Sequence, residues 1–83
     1  MSTYKPSQRT TGQIDNAFIY HEPLPGQPER YQRISDKAKE LAQLVAEEAP
    51  ECPEQTLSIR SIETACFWAK SAIARHEKPS DNP

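Results

Sequence analysis

Cations and aromatic rings carry most of the chemistry that this chain can offer. Arg30, Arg33, Lys37 and Lys39 fall in one stretch and Lys70, Arg75 and Lys78 in another, with Tyr31, Phe67 and Trp68 set among them. Lysine and arginine give charge-assisted hydrogen bonds to phosphate, and aromatic faces stack on bases. The set suits a nucleotide-like anion, provided that the two stretches meet. Phe18, Tyr20 and His21 stand upstream beside a proline-rich segment. Tyr20 and His21 have little structural reason to be there and are candidates for function or for docking on a neighbouring subunit. A plainer reading stands beside this one: helical Lys and Arg usually face solvent, and Tyr31, Phe67 and Trp68 serve packing equally well.

Other chemistries fit poorly. The acids gather in residues 40–56, which hold five carboxylates and no base, and a solvated cluster is no acid–base pair. Cys66 falls on an apolar helical stripe, where a thiol acts as a small hydrophobe rather than a nucleophile. Cys52 lies in a Pro-Glu-Cys-Pro turn, and no metal-ligand spacing joins it to another residue. Two glycines cannot build a phosphate-cradling loop. No catalytic residue, metal site or cofactor is expected. With no signal-like or long apolar run, the chain reads as a soluble, non-membrane protein of a reducing compartment.

The elements that must position these groups follow from the apolar spacing. Ile59, Ile62, Cys66, Ala69 and Ile73 step by three and four along one helical face. Ala65, Trp68 and Ala72 run beside them as a second row. Tyr31, Ile34, Ala38, Leu41 and Val45 repeat the spacing in an earlier helix, opened by Pro28 and ending near Ala49. Pro53 opens the later helix, which runs to about Glu77, and Pro79 cannot continue it. Two such helices, each on the order of 35 Å long at the α-helical rise, joined by a tight turn at Pro50–Pro53, must be antiparallel neighbours. Folding the chain about Glu51 pairs Val45 with Leu57, Leu41 with Ile62 and Ile34 with Trp68.

The expected fold is therefore all-α, an antiparallel two-helix hairpin at residues 28–77. An extended, flexible arm occupies 1–27 and a disordered tail 78–83. Within the arm, 1–13 is polar without a period, and Ile14–His21 fits either a short strand or a helical turn. The segment Glu22–Pro28 holds three prolines and a glycine and forbids a helix. One partner helix covers one of the two stripes, so the second reads as a homo-oligomer surface. Charge sorts along the hairpin: residues 1–39 carry net +2, 40–56 net −5 and 57–83 net +1. The turn is acidic, and the open end gathers cations and aromatics.

The later helix also carries a resemblance. ETACFWAKSAIAR is similar to the closing helix of small phage-encoded hairpin proteins, the anti-CBASS and anti-Thoeris sponges. Their run reads as a Leu-Glu pair, a Met-Trp-Ala-Asn segment and then Ala-Ile-Ala-Arg. This chain matches it at Glu63, Trp68, Ala69, Ala72, Ile73, Ala74 and Arg75, and departs with Ile62, Phe67 and Lys70 for Leu, Met and Asn. RYQRISDKAKELAQLV and the preceding YHEPLPGQ resemble the family's first helix and its lead-in, so the likeness spans about Phe18 to Glu77.

The resemblance implies hexamers, trimers of dimers, that bind cyclic di- or trinucleotides or cyclic ADP-ribose isomers between protomers without cleaving them. Host effectors in the infected bacterium's cytoplasm would then lack their activating signal. Trp68 and Arg75 match the family's run. Phe18, Tyr20, Tyr31, Ser35 and Lys37 align loosely where its members contact ligand, and Lys70 adds a cation that alters ligand choice or removes one pocket.

Joined to the reading of the residues, this gives bases held by Tyr20, Tyr31 or Trp68 and phosphates by Arg30, Lys37 or Arg75. The alternative is a helical-hairpin protein–protein interaction module with no anion affinity. A nucleic-acid polymer is disfavoured by a pI near 5.6.

Overall fold

A computed structural model describes residues 3–79 of the chain, which hold three helices: α1 (Gln8–Phe18), α2 (Gln27–Glu48) and α3 (Pro53–His76). Among the described residues all regular structure is helical. Residues 80–83 of the expected tail lie outside them.

The long helices begin and end where local chemistry places them. Gly26 adopts φ +85°, a left-handed conformation that glycine tolerates best, and its carbonyl accepts from Arg30 N at 3.3 Å. Pro28 then occupies the first turn, with Glu29 beside it at the positive end of the helix dipole. At the far end Ala49 N donates to Val45 O at 2.9 Å, and Gln55 Nε2 reaches back to Ala49 O at 3.0 Å, closing the hairpin turn. Pro53 opens α3, while Arg75 and His76 lie in its last turn.

The arm departs from expectation. Its polar stretch is not extended: it forms most of the eleven-residue α1. Ser7 is the cause that sequence periodicity does not reveal. Its Oγ accepts from Thr10 N at 3.1 Å, satisfying one of the N–H groups that a helix start leaves open, and its carbonyl takes the first helical bond from Thr11 N at 3.0 Å. The helix ends at Phe18, and Ile19 is extended, so the helical rather than the strand alternative holds for Ile14–Phe18.

The hairpin is antiparallel, since Arg30 near the start of α2 bonds Glu77 just beyond α3. Leu41 and Ile62 line one shared groove, as the fold-back requires. Two expected pairings are corrected. Val45 shares its crevice with Ser58, not Leu57, and Ile34 faces Ala65 and Ala69 rather than Trp68. Leu57 and Trp68 are eleven residues apart, three full turns, and share the side of α3 turned from α2, where they stay 65% and 57% exposed.

Two helices side by side cannot enclose a core. Among the described residues no hydrophobic side chain is buried, and the sole buried residue is polar, Gln27 at 2% exposure. The chain spans 48 × 41 × 16 Å, a thin plate.

Candidate functional site

Gln27 organises the open end. Its Oε1 accepts from Leu24 N at 2.8 Å and from the Tyr31 hydroxyl at 3.3 Å, while its Nε2 donates to Glu77 Oε1 at 3.2 Å. Arg30 Nη1 donates to both Glu77 carboxylate oxygens. These bonds hold the Glu77 carboxyl below its usual range, the Arg30 bond most and Gln27 next, with desolvation opposing. Arg30, expected as a phosphate ligand, is thus engaged within the chain, and the Tyr31 hydroxyl is turned to Gln27.

α1 joins this end through polar contacts. Asn16 Nδ2 donates to the Arg75 carbonyl at 3.1 Å, one of the terminal carbonyls that a helix leaves without an internal partner. The Asn16 carbonyl in turn accepts from His21 Nε2 at 2.6 Å. The rings of Phe18 and Tyr20 remain open to solvent, 85% and 83% exposed.

The remaining candidates fall on different faces of the hairpin. Ser35 and Lys70 line one groove of about 480 Å³ between α2 and α3, with Lys39 and Phe67 on the same walls. This pairs two cations with an aromatic ring and a hydroxyl. Lys37 lies on the other side of the seam, in the groove with Ile34 and Leu41, and its ammonium reaches Glu40 at 3.2 Å. Trp68 and Arg75 share a small notch of about 210 Å³ on the outer side of α3. There the guanidinium stands 6.0 Å from the indole centroid, at the limit of a cation–π contact. Phe67 bridges the two regions, edge-on to Trp68 with centroids 5.1 Å apart.

The nine expected ligand residues are therefore not brought into one pocket of a single chain. The sequence reading left Lys39 and Phe67 out of its ligand set. Their signal was present, because Lys39 lies four residues after Ser35 and Phe67 three before Lys70, spacings that share a helical face. Asn16, Gln27 and Glu77 were missed because their roles depend on partners up to 59 residues away. Among the described residues no group of three or more His, Cys, Asp or Glu is placed to hold a metal ion, and no helix is long and apolar enough to cross a membrane.

Such a scaffold, an open hairpin with cation- and ring-lined grooves, defines a small helical binding module. A sequence profile of the Acb2/Tad1 hairpin domain matches residues 10–74. The chain belongs to that family, the phage anti-CBASS and anti-Thoeris sponges, known for sequestering cyclic nucleotides. The match takes in most of α1, of which the resemblance noted above reached only Phe18. Comparison with curated proteins and with solved structures gave no match.

Proposed function

We propose that this protein binds a cyclic nucleotide immune signal and holds it without cleavage, as a homo-oligomer in the cytoplasm of an infected bacterium. The observation that carries the reading is the family match over residues 10–74. The groove of Ser35, Lys39, Phe67 and Lys70 supports it. Lys39 and Lys70 supply charge-assisted bonds to phosphate, Phe67 a face for a base, and Ser35 a hydroxyl for a polar edge. Trp68 and Arg75 form a second half-site, which a neighbouring subunit, with Phe18 and Tyr20 of its arm, would close. Arg30 is engaged by Glu77, so this reading assigns it to the fold and not to the ligand.

Sequestration sets a demand on affinity. To starve an effector the Kd must be nanomolar or lower, about −12 kcal/mol. An open groove on one chain offers too few contacts, so closure by a second subunit is part of the mechanism. The test is thermal shift against a panel of cyclic di- and trinucleotides and cyclic ADP-ribose isomers. Bound ligand should raise Tm in proportion to the logarithm of its concentration and be recovered intact after the protein is denatured. No shift with any member of the panel removes the proposal.

The exposed Leu57, Phe67 and Trp68 favour a second reading, a protein–protein interaction module. Replacing Lys39, Lys70 and Arg75 together by alanine separates the two. A module for apolar partners keeps its activity, whereas a nucleotide sponge loses affinity.

A further inference from the structure

Little apolar burial holds α1 where it lies. None of its residues is buried, and its tie to the hairpin is polar, the Asn16 amide on the Arg75 carbonyl. The position leaves a groove of about 290 Å³, walled by Gln13, Asn16 and Ala17 of α1 and by Arg75 and His76 of α3. Arg75 and His76 also line the Trp68 notch of about 210 Å³. Two openings that share two residues adjoin across them. Neither alone reaches the roughly 300–1,000 Å³ of an ordinary small-molecule pocket, whereas the joined space falls within that range.

The groups around this space suit one kind of ligand. They are two carboxamides, a guanidinium, an imidazole and an indole, with no carboxylate on either wall. The Arg75 guanidinium makes no ion pair among the described residues, so it is available to a phosphate. Asn16 and Gln13 differ in duty. Asn16 Nδ2 is engaged by the Arg75 carbonyl, which fixes α1 beside the end of α3. Gln13, one turn earlier on the same helical face, makes no side-chain hydrogen bond among the described residues. An unengaged carboxamide sets an acceptor and a donor side by side. That pattern matches the N6 amino group and N7 of adenine, and not the two acceptors, O6 and N7, of guanine.

We infer that the groove between α1 and the end of α3 is a base-reading subsite of the Trp68–Arg75 half-site, with Gln13 the residue that selects adenine over guanine. A phosphate sits on Arg75, and the adenine reaches past it into the groove to meet Gln13. Trp68, 6.0 Å from the guanidinium on the other side, offers its face to the rest of the ligand. Asn16 is a positioning residue, since it acts by holding α1 in place. The subsite is built within one chain, before any neighbouring subunit closes the half-site. The inference rests on the proposed nucleotide-binding function and adds to it the base that the ligand must carry.

Trp68 is the chain's single tryptophan, so its emission reports on this half-site in the full chain. Matched pairs separate the bases: cyclic di-AMP against cyclic di-GMP, and cyclic ADP-ribose against cyclic GDP-ribose. In the unmodified chain the adenine member of a bound pair should bind roughly 5- to 150-fold more tightly, the span expected for one bidentate base contact. Gln13→Ala should lower adenine affinity by that factor and leave guanine affinity unchanged, which abolishes the preference. Gln13 bonds nothing in the fold, so Tm without ligand should not move. Equal affinities, a guanine preference, or a preference that survives Gln13→Ala overturns the inference. So does an equal loss for both members of a pair, or no binding of either pair. The thermal-shift panel then separates the two readings: a shift with another cyclic nucleotide leaves sequestration standing without the subsite, and no shift removes both.

Discussion

One nitrogen of Arg30, Nη1, lies 2.7 Å and 2.8 Å from the two carboxylate oxygens of Glu77. The pair ties the first turn of α2 to the residue that ends α3 and so fixes the open end of the hairpin. The same carboxylate takes the Gln27 amide. Loss of Glu77 would therefore release two side chains at once.

The clasp has a pH signature. Glu77 has a folded pKa depressed below its ordinary 4.5, through Arg30 first and then Gln27. A depressed carboxyl stabilises the fold fully above its unfolded value and loses that contribution as pH falls through the folded one. Thermal melts of the unmodified chain should fall off more steeply below about pH 4.5 than those of Glu77→Gln, which has no charge to lose. Parallel curves would show that the clasp adds nothing.

Gln27 is the second test. At 2% exposure it satisfies Leu24 N, the Tyr31 hydroxyl and Glu77 together. Gln27→Met keeps the volume and removes the partners, leaving a backbone N–H without an acceptor. Urea unfolding should show a loss of about 1–3 kcal/mol. A change within error would mean that water replaces the amide.

At Gly26 there is open space and a strained angle: nothing lies within 4 Å of an added Cβ, but φ is +85°. Gly26→Ala should therefore cost about 1–2 kcal/mol, from backbone conformation alone. Gly12, in a helix with equal space around it, should gain stability or stay unchanged when replaced by alanine. The contrast between a loss at Gly26 and no loss at Gly12 can be read in one set of melts.

For the groove, Lys70→Ala and Lys39→Ala should each lower nucleotide affinity roughly 10- to 150-fold, the range expected for one charge-assisted bond. Tm without ligand should stay the same, because neither lysine makes an ion pair among the described residues. Calorimetric titration measures both. If affinity holds in the two variants while Arg75→Ala abolishes it, the ligand belongs to the Trp68 notch.

The hairpin could be read from the chain because its signals are local. Apolar residues at three–four spacing, Pro28 and Pro53 at helix starts and a short acidic turn need no distant partner to act. Leu41 meeting Ile62 followed from that pattern alone. The pairing of Trp68 with Ile34 did not hold, because a fold-back count matches heights along two helices and ignores which way each side chain points. α1 was hidden for a different reason. It has few apolar residues to set a period, and it depends on a Ser7 cap and on Asn16 meeting the end of α3. The candidate site was legible as residue types but not as a place. Lys37 and Lys70 fall on opposite sides of one seam, which is decided by a single step of helical rotation.

A plate 16 Å thick has no inside. If its greasy side is shielded only by another copy, dilution acts on this protein as urea acts on others. Early in its synthesis, when copies are scarce, each chain would be soft and open to proteolysis. Its shape would harden only as its numbers rose.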